Sequence, residues 1–248
     1  MLHKTRGIAL QTVKFSETSI IARIYTELFG LQSYLIKGIR KQHPHIKPGL
    51  FQPLTILDLT VYHKEKGNLQ SLKEVSNHHP YHSLPFDIKK SSVALFINEL
   101  ICKSIREEEP DRALFDFLLN ACIELDSTQA GVASFPVLFS LGLTRYLGFY
   151  PQADDSAGKE IFNLKEGVFQ ENLPGHKYYL RPPVSILFKE LIQTGEGHLP
   201  YSFSGLNLGQ EILKARSELL EQILLYYKLH LPDFREVHSH QVLHAILQ

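Results

Sequence analysis

Tryptophan is absent from this 248-residue chain, and cysteine occurs only twice. Cys102 and Cys122 both fall on the apolar stripes of expected helices, the place of small core residues in a reducing compartment rather than of a disulfide framework. No apolar run reaches the ~18 residues that a membrane span needs, and Met1 to Gly7 lacks the apolar core of a signal peptide. No Walker loop, nucleophile elbow or His-Glu-x-x-His is present. Gly195 to Pro200 has a faint look of a nucleotide loop, but it follows a helical pattern rather than a strand and runs into proline, which argues against it. No carboxylates stand at the spacing of a metal-dependent hydrolase of nucleic acid. Histidine is abundant, at 13 residues, and clusters at His43 and His45, at His78, His79 and His82, and at His238 and His240. None of these clusters has a cysteine or carboxylate at ligand spacing, so they read as surface histidines rather than zinc ligands. No metal, cofactor or catalytic residue is expected.

One further absence is local. No Asp or Glu occurs between Leu35 and Gly49, where Lys37, Arg40, Lys41 and Lys47 gather around two glycines and two prolines. The chain as a whole has no net charge, yet residues 1–80 hold 11 basic and five acidic residues, leaving 15 and 21 for the remainder. A split of +6 against −6 predicts an anionic partner for the first part. Phosphates suit the basic stretch, because each cation can displace a condensed counterion. Phe15, Tyr25, Phe29, Tyr34, Phe51 and Tyr62 are available to stack on bases or to fill a core.

The same region is strand-like. Residues 7–14, 19–25, 31–40, 53–62 and 69–75 are β-branched, aromatic or alternating, and the last is entered through Lys66-Gly67-Asn68, a hairpin signal. Five short strands hide their edges by closing, and the five-stranded OB-fold barrel is the expected form. After a linker at Asn77 to Pro80 the period changes to helical. A first helix carries Val93, Phe96, Ile97, Leu100, Ile101 and Ile105, started by Ser91 or Ser92 and ended by Glu107-Glu108-Glu109-Pro110. A second carries Leu114 to Leu125 and a third Phe135 to Leu147, closed by Gly148. Asp154 to Gly158 reads as a turn, and residues 161–164 and 168–170 as a short hairpin around Lys165-Glu166-Gly167. Helical spacing returns over 184–192 and over 209–230. The fold class is therefore α+β and multidomain: a barrel at 1–80, a helical domain at 81–150, a cysteine-free hairpin region at 151–183, and a C-terminal helical part at 184–248 packing with 81–150.

Residues 7–41, GIALQTVKFSETSIIARIYTELFGLQSYLIKGIRK, resemble the start of the bacterial recombination mediator family RecO. The matching features are Phe15-Ser16-Glu17-Thr18-Ser19, Thr26 before Gly30, and Lys37-Gly38 with Arg40. Residues 50–75, with Leu50-Phe51-Gln52-Pro53, fit the family's closing segment. FINELICKSI at 96–105 and LTRYLGFYP at 143–151 are similar to two of its helix segments. The resemblance implies an OB-fold followed by helices, and binding rather than covalent catalysis. It implies binding of single- and double-stranded DNA, annealing of complementary strands, and, with RecR, loading of RecA onto DNA coated by single-strand binding protein (SSB). It also implies docking of the acidic, apolar SSB tail, and a cytoplasmic, nucleoid-associated place. On this reading Lys37, Arg40, Lys41 and Lys47, with Arg23, Arg6 and Tyr34, form the DNA-binding set. An OB-fold scaffold that grips a protein instead of DNA is the alternative.

The chain departs from the family in three places. Many members carry four zinc-binding cysteines after the Leu-Gly-aromatic step, and residues 150–183 have none. Some relatives place an arginine pair where this chain has Pro136-Val137-Leu138, although Arg145 remains nearby. The family's C-terminal Lys-Ser-Arg reads Val237-His238-Ser239-His240 here, and histidine is mostly neutral at pH 7.

Overall fold

The structure is a computed structural model that describes residues 1–42, 45–64, 67–106, 109–153, 158–198 (backbone alone at 196–198), 203 and 208–247. His43, Pro44, Lys66, Glu107, Glu108, Asp154 to Ala157, Leu199 and Pro200 lie outside the described residues. So do parts of the expected histidine cluster, hairpin entry, helix end, turn and loop that involve them.

Strands β1 (Leu2–Lys14), β2 (Ile20–Thr26), β3 (Gly30–Ile36), β4 (Ile56–Tyr62) and β5 (Gln70–Asn77) close into a barrel of order β1-β2-β3-β5-β4. All neighbours are antiparallel except β3 and β5, which pair in parallel at Tyr34–Gln70 and Leu35–Ser71. This is the expected five-stranded barrel. Alternate residues of the strands point inward, so Ala9, Ala22, Ile24, Tyr34, Ile36, Leu57, Leu59 and Val61 share one core. The interior is narrow: a Cβ on Gly7 would stand 2.7 Å from both Ile24 Cγ2 and Leu59 Cδ1. A register shift between Ala9 and Gln11 bends β1, so that it serves β4 with one half and β2 with the other.

β1 starts at Leu2 rather than Gly7, and two other strand ends differ clearly from expectation. β3 stops at Ile36 rather than Arg40, because Gly38 turns the chain at φ +70° and accepts a hydrogen bond from Lys41 N at 3.3 Å. The chain then folds back over the barrel, burying Ile39 and Phe51, with Ile46 and Leu50 packed beside them. β4 starts at Ile56 rather than Pro53. Leu54 has φ +63° and spends its backbone elsewhere, donating to Ala9 O at 2.7 Å and accepting from the Tyr81 hydroxyl at 2.6 Å.

The chain divides into two compact units. The first is Met1–Phe86 with Ile105–Asp126, which groups helix α2 (Arg112–Ser127) with the barrel. Phe115 of α2 stacks on Tyr25, at 6.4 Å between centroids. Near the C-terminal end of α2, Asp126 accepts the N–H groups of His82, Ser83 and Leu84 at 2.7–3.0 Å.

The second unit is Asp87–Ser104 with Ser127–Gln248. It holds α1 (Ile88–Ser104), α3 (Phe135–Tyr146), α4 (Val184–His198), α5 (Gln210–His230) and α6 (His240–Ile246). It also holds a small sheet of β6 (Ile161–Asn163), β7 (Val168–Gln170) and β8 (Tyr179–Leu180). The expected hairpin is β6–β7; β8 and α6 are additions. α1 starts earlier than its expected serine cap. Asp87 Oδ1 accepts Lys89 N at 2.8 Å and Lys90 N at 3.2 Å, while the Ser91 and Ser92 hydroxyls donate back to Ile88 O. No helix among the described residues is long and apolar enough to cross a membrane.

Candidate nucleic-acid interface

Residues that pair across strands share a face. With Ala22 and Tyr34 inside the barrel, the outer face of β1–β2–β3 carries two rows, Gln11–Arg23–Ser33 and Val13–Ile21–Leu35. Further along that face Tyr25 and its cross-strand neighbour Leu31 are buried, Tyr25 beneath Phe115. The end bearing Val13 is left open, and the chain changes direction there. Phe15 and Ser16 donate their N–H groups to Ser19 O, closing the β1–β2 turn.

The basic loop after β3 is fastened to that turn. Arg40 N donates to Thr18 O at 3.2 Å and Arg40 Nη1 to Ser16 O at 3.4 Å. Ile39, 1% exposed, anchors the loop from below. Gly38 lacks a side chain because its φ is positive, while the Lys41 stem passes in ordinary contact with the place a Cβ would take. Lys37, Arg40 and Lys41 are therefore held exposed around one strand end. Lys47 is exposed where the returning chain enters the 3-10 turn Pro48–Phe51, and Arg23 is half-buried on the open outer face. None of Arg23, Lys37, Arg40, Lys41 and Lys47 makes an ion pair with a described residue.

Lys14 belongs with them and was not legible as such. It pairs with Ile20, which pairs with Ile36, so it lies two strand spacings from the start of the basic loop, about 10 Å away. Only the register reveals this. Glu17 is the one acidic residue in the adjoining turn.

Two members of the expected set lie elsewhere. Arg6 sits eight residues down β1 from Lys14, roughly 25 Å along the strand. Its Nε and Nη2 bond Glu27 at 2.8 and 3.1 Å, Asp116 lies 3.8 Å away, and the guanidinium covers the Phe115 ring. The bond from Arg6 holds the Glu27 carboxyl below its ordinary range, and Arg112 adds a further ion pair. Tyr34 is fully buried inside the barrel, where burial pushes its phenol pKa up, and it presents no ring face to solvent. Tyr25 and Phe51 are also buried, and Phe29 stacks on His63 at 3.9 Å. Phe15 and Tyr62 are the exposed aromatics among the six, at 56% and 46%.

Residues 1–81 match the family model described as Recombination protein O N terminal, and residues 85–235 match Recombination protein O C terminal. The chain belongs to the RecO family. It is 34% identical to DNA repair protein RecO of Bacteroides fragilis, over 98% of both chains. It is 34% identical to that of Flavobacterium psychrophilum over 98% of both, and 30% identical to that of Azobacteroides pseudotrichonymphae over 99% of both. RecO membership carries a role in DNA repair through recombination.

The zinc set found in many RecO members does not fit this chain, whose two cysteines, Cys102 and Cys122, both precede the hairpin region. Among the described residues no three His, Cys, Asp or Glu side chains are grouped to hold a metal. The helical unit does contain a cavity of about 170 Å³, walled by Val137, Leu220 and Leu243 and edged by Arg216, His240 and His244. Arg216 Nη2 donates to Leu247 O at 2.6 Å, and His244 lies 3.6 Å from Glu221. Arg145 lies over the Tyr150 ring at 4.4 Å.

Proposed function

We propose that this chain is a recombination mediator that binds single- and double-stranded DNA through the open edge of its barrel and anneals complementary strands. Acting with RecR, it promotes the loading of RecA onto SSB-coated DNA in the cytoplasm, at the nucleoid. The observation that carries the DNA-binding part is the group Lys14, Lys37, Arg40 and Lys41, cations with no ion pair among the described residues, set around one strand end with Arg23 and Lys47 near them. Phosphates that meet these groups release counterions, which drives binding without reading sequence. Neutralising two backbones also lowers their mutual repulsion, so annealing needs no covalent step.

The test is equilibrium binding of an unstructured single-stranded oligonucleotide, titrated with salt. A log–log slope of several units is expected. No binding at low salt would overturn the DNA-edge reading and favour an OB-fold scaffold whose partner is a protein.

The SSB tail fits the helical unit by chemistry. An acidic, apolar peptide suits the apolar cavity with Arg216 at its edge, and Arg216 on α5 there supplies a positive charge that Pro136-Val137-Leu138 cannot. Arg216→Glu should abolish capture of such a peptide while single-stranded DNA binding stays intact. Unchanged peptide affinity would refute this placement.

A further inference from the structure

We propose that Phe15, supported by Val13, is a stacking platform for an unpaired nucleobase and gives the basic edge a preference for single strands over duplex. This deepens the phosphate reading of that edge and rests on it. Phe15 and Val13 are 56% and 51% exposed, an apolar surface set directly among cations. The other exposed apolar residues of the barrel, such as Leu2, Leu28 and Tyr62, belong to other strands or to the far end of β1.

The backbone that carries the ring is fixed. Phe15 N is tied to Ser19 O, and the next carbonyl, Ser16 O, accepts Arg40 Nη1, so the aromatic and the basic loop move as one piece. A platform on a backbone already held in place has little backbone freedom left to lose when a base lands on it.

The choice of occupant follows from charge. An exposed aromatic next to Lys14 in the chain, tied through Ser16 to the loop that carries Lys37, Arg40 and Lys41, matches a ligand that alternates flat apolar groups with anions, which is a nucleic-acid strand. In a duplex every base face is already stacked on its neighbours, so duplex DNA can use only the cations.

The experiment uses the full chain with Phe15→Leu and Phe15→Trp. Three probes of equal length serve: an unstructured single strand, an abasic single strand and a duplex. Phe15→Leu is expected to weaken the first by roughly 5- to 100-fold and to leave the other two, and the salt slope, unchanged. The chain has no tryptophan, so Phe15→Trp is a lone reporter. Its emission should be quenched by the single strand and not by the duplex. If Phe15→Leu keeps single-strand affinity, or weakens all three probes alike, the stacking role is overturned while the phosphate edge stands. If the unaltered chain binds none of the probes at low salt, both readings fall.

Discussion

Sequence grounds place Arg40 at the centre of the DNA-binding set and Arg6 among its neighbours, and the structure separates the two, so they make a paired test. Six cations stand at or near the open edge: Lys14, Arg23, Lys37, Arg40, Lys41 and Lys47. If each meets one phosphate of a single strand, the log–log salt slope is about −4, since each contact contributes about 0.7. Raising salt fourfold then weakens binding by about 300-fold. Arg40→Glu with Lys41→Glu removes two contacts at least, so the slope flattens to about −3 and the same salt change costs only about 50-fold. Arg6→Gln should leave the slope untouched, because Arg6 is already bonded to Glu27 at the other end of β1. Its cost should fall on stability, at about 1 kcal/mol, as for a partly exposed ion pair in which Glu27 keeps Arg112. The assay is anisotropy of a labelled strand across a salt series, with urea unfolding of each variant alongside. The assignment fails if Arg6→Gln flattens the slope as much as the double reversal does, or if the reversal leaves the slope where it was.

Besides Glu27, whose pKa Arg6 lowers, two carboxylates should govern acid stability. Glu99 on α1 accepts the N–H groups of His238 and Ser239, the Ser239 hydroxyl and Lys103 Nζ; burial works against its charge, but these donors win and bring its pKa to about 2. That is below the unfolded value of about 4.3, so its stabilisation is complete above that value and is lost as pH falls towards 2. Glu99→Gln should free the segment around 236–247 at a cost of ~1–3 kcal/mol, seen as faster amide exchange at His238 and Ser239; unchanged protection would refute the latch. Asp126 behaves in the same sense, since the N–H groups of His82, Leu84 and Ser83 outweigh its burial and lower its pKa. Asp126→Ala strands those three donors and should cost about 3 kcal/mol, read as a lower urea midpoint with the salt slope of DNA binding preserved.

The barrel was legible because its strands alternate and its turns carry glycine. What the sequence could not fix was which parity faces inward. β2 and β3 are apolar on both sides, with Ile21 and Leu35 outside and Ala22 and Tyr34 inside, so Tyr34 could be taken for a surface ring. The basic loop was visible as composition, but Ile36 and Ile39 made it look like more strand; only the left-handed turn at Gly38 ends it. Arg6 looked free because its partners are remote in the chain: Glu27 reaches it through the β1–β2 pairing, and Asp116 arrives on α2. The attachment of α2 to the barrel was hidden for the same reason, since it depends on Phe115 meeting Tyr25. The β6–β7 hairpin was read correctly from Lys165-Glu166-Gly167, whereas β8 and α6 are too short to leave a period.

That hairpin is fastened without any cysteine. A four-thiolate zinc site fastens a small loop-rich segment that has little core of its own. Here the fastening is aromatic. Phe162 of β6 is fully buried and meets Phe169, Phe188 and Tyr226 at centroid distances of 4.8–6.0 Å. Tyr226 comes close only because Gly167 has no side chain: a Cβ there would run into the tyrosine hydroxyl, which donates to Phe149 O at 2.9 Å. His230 reaches Leu164 O at 2.8 Å and stacks on Phe149, tying the strand pair to α5. Asn163 Oδ1 accepts the N–H groups of Lys165 and Glu166, so the turn is satisfied from within. Burial and backbone pairing thus hold the strand pair to α5, and Gly167 is the residue on which that close approach depends.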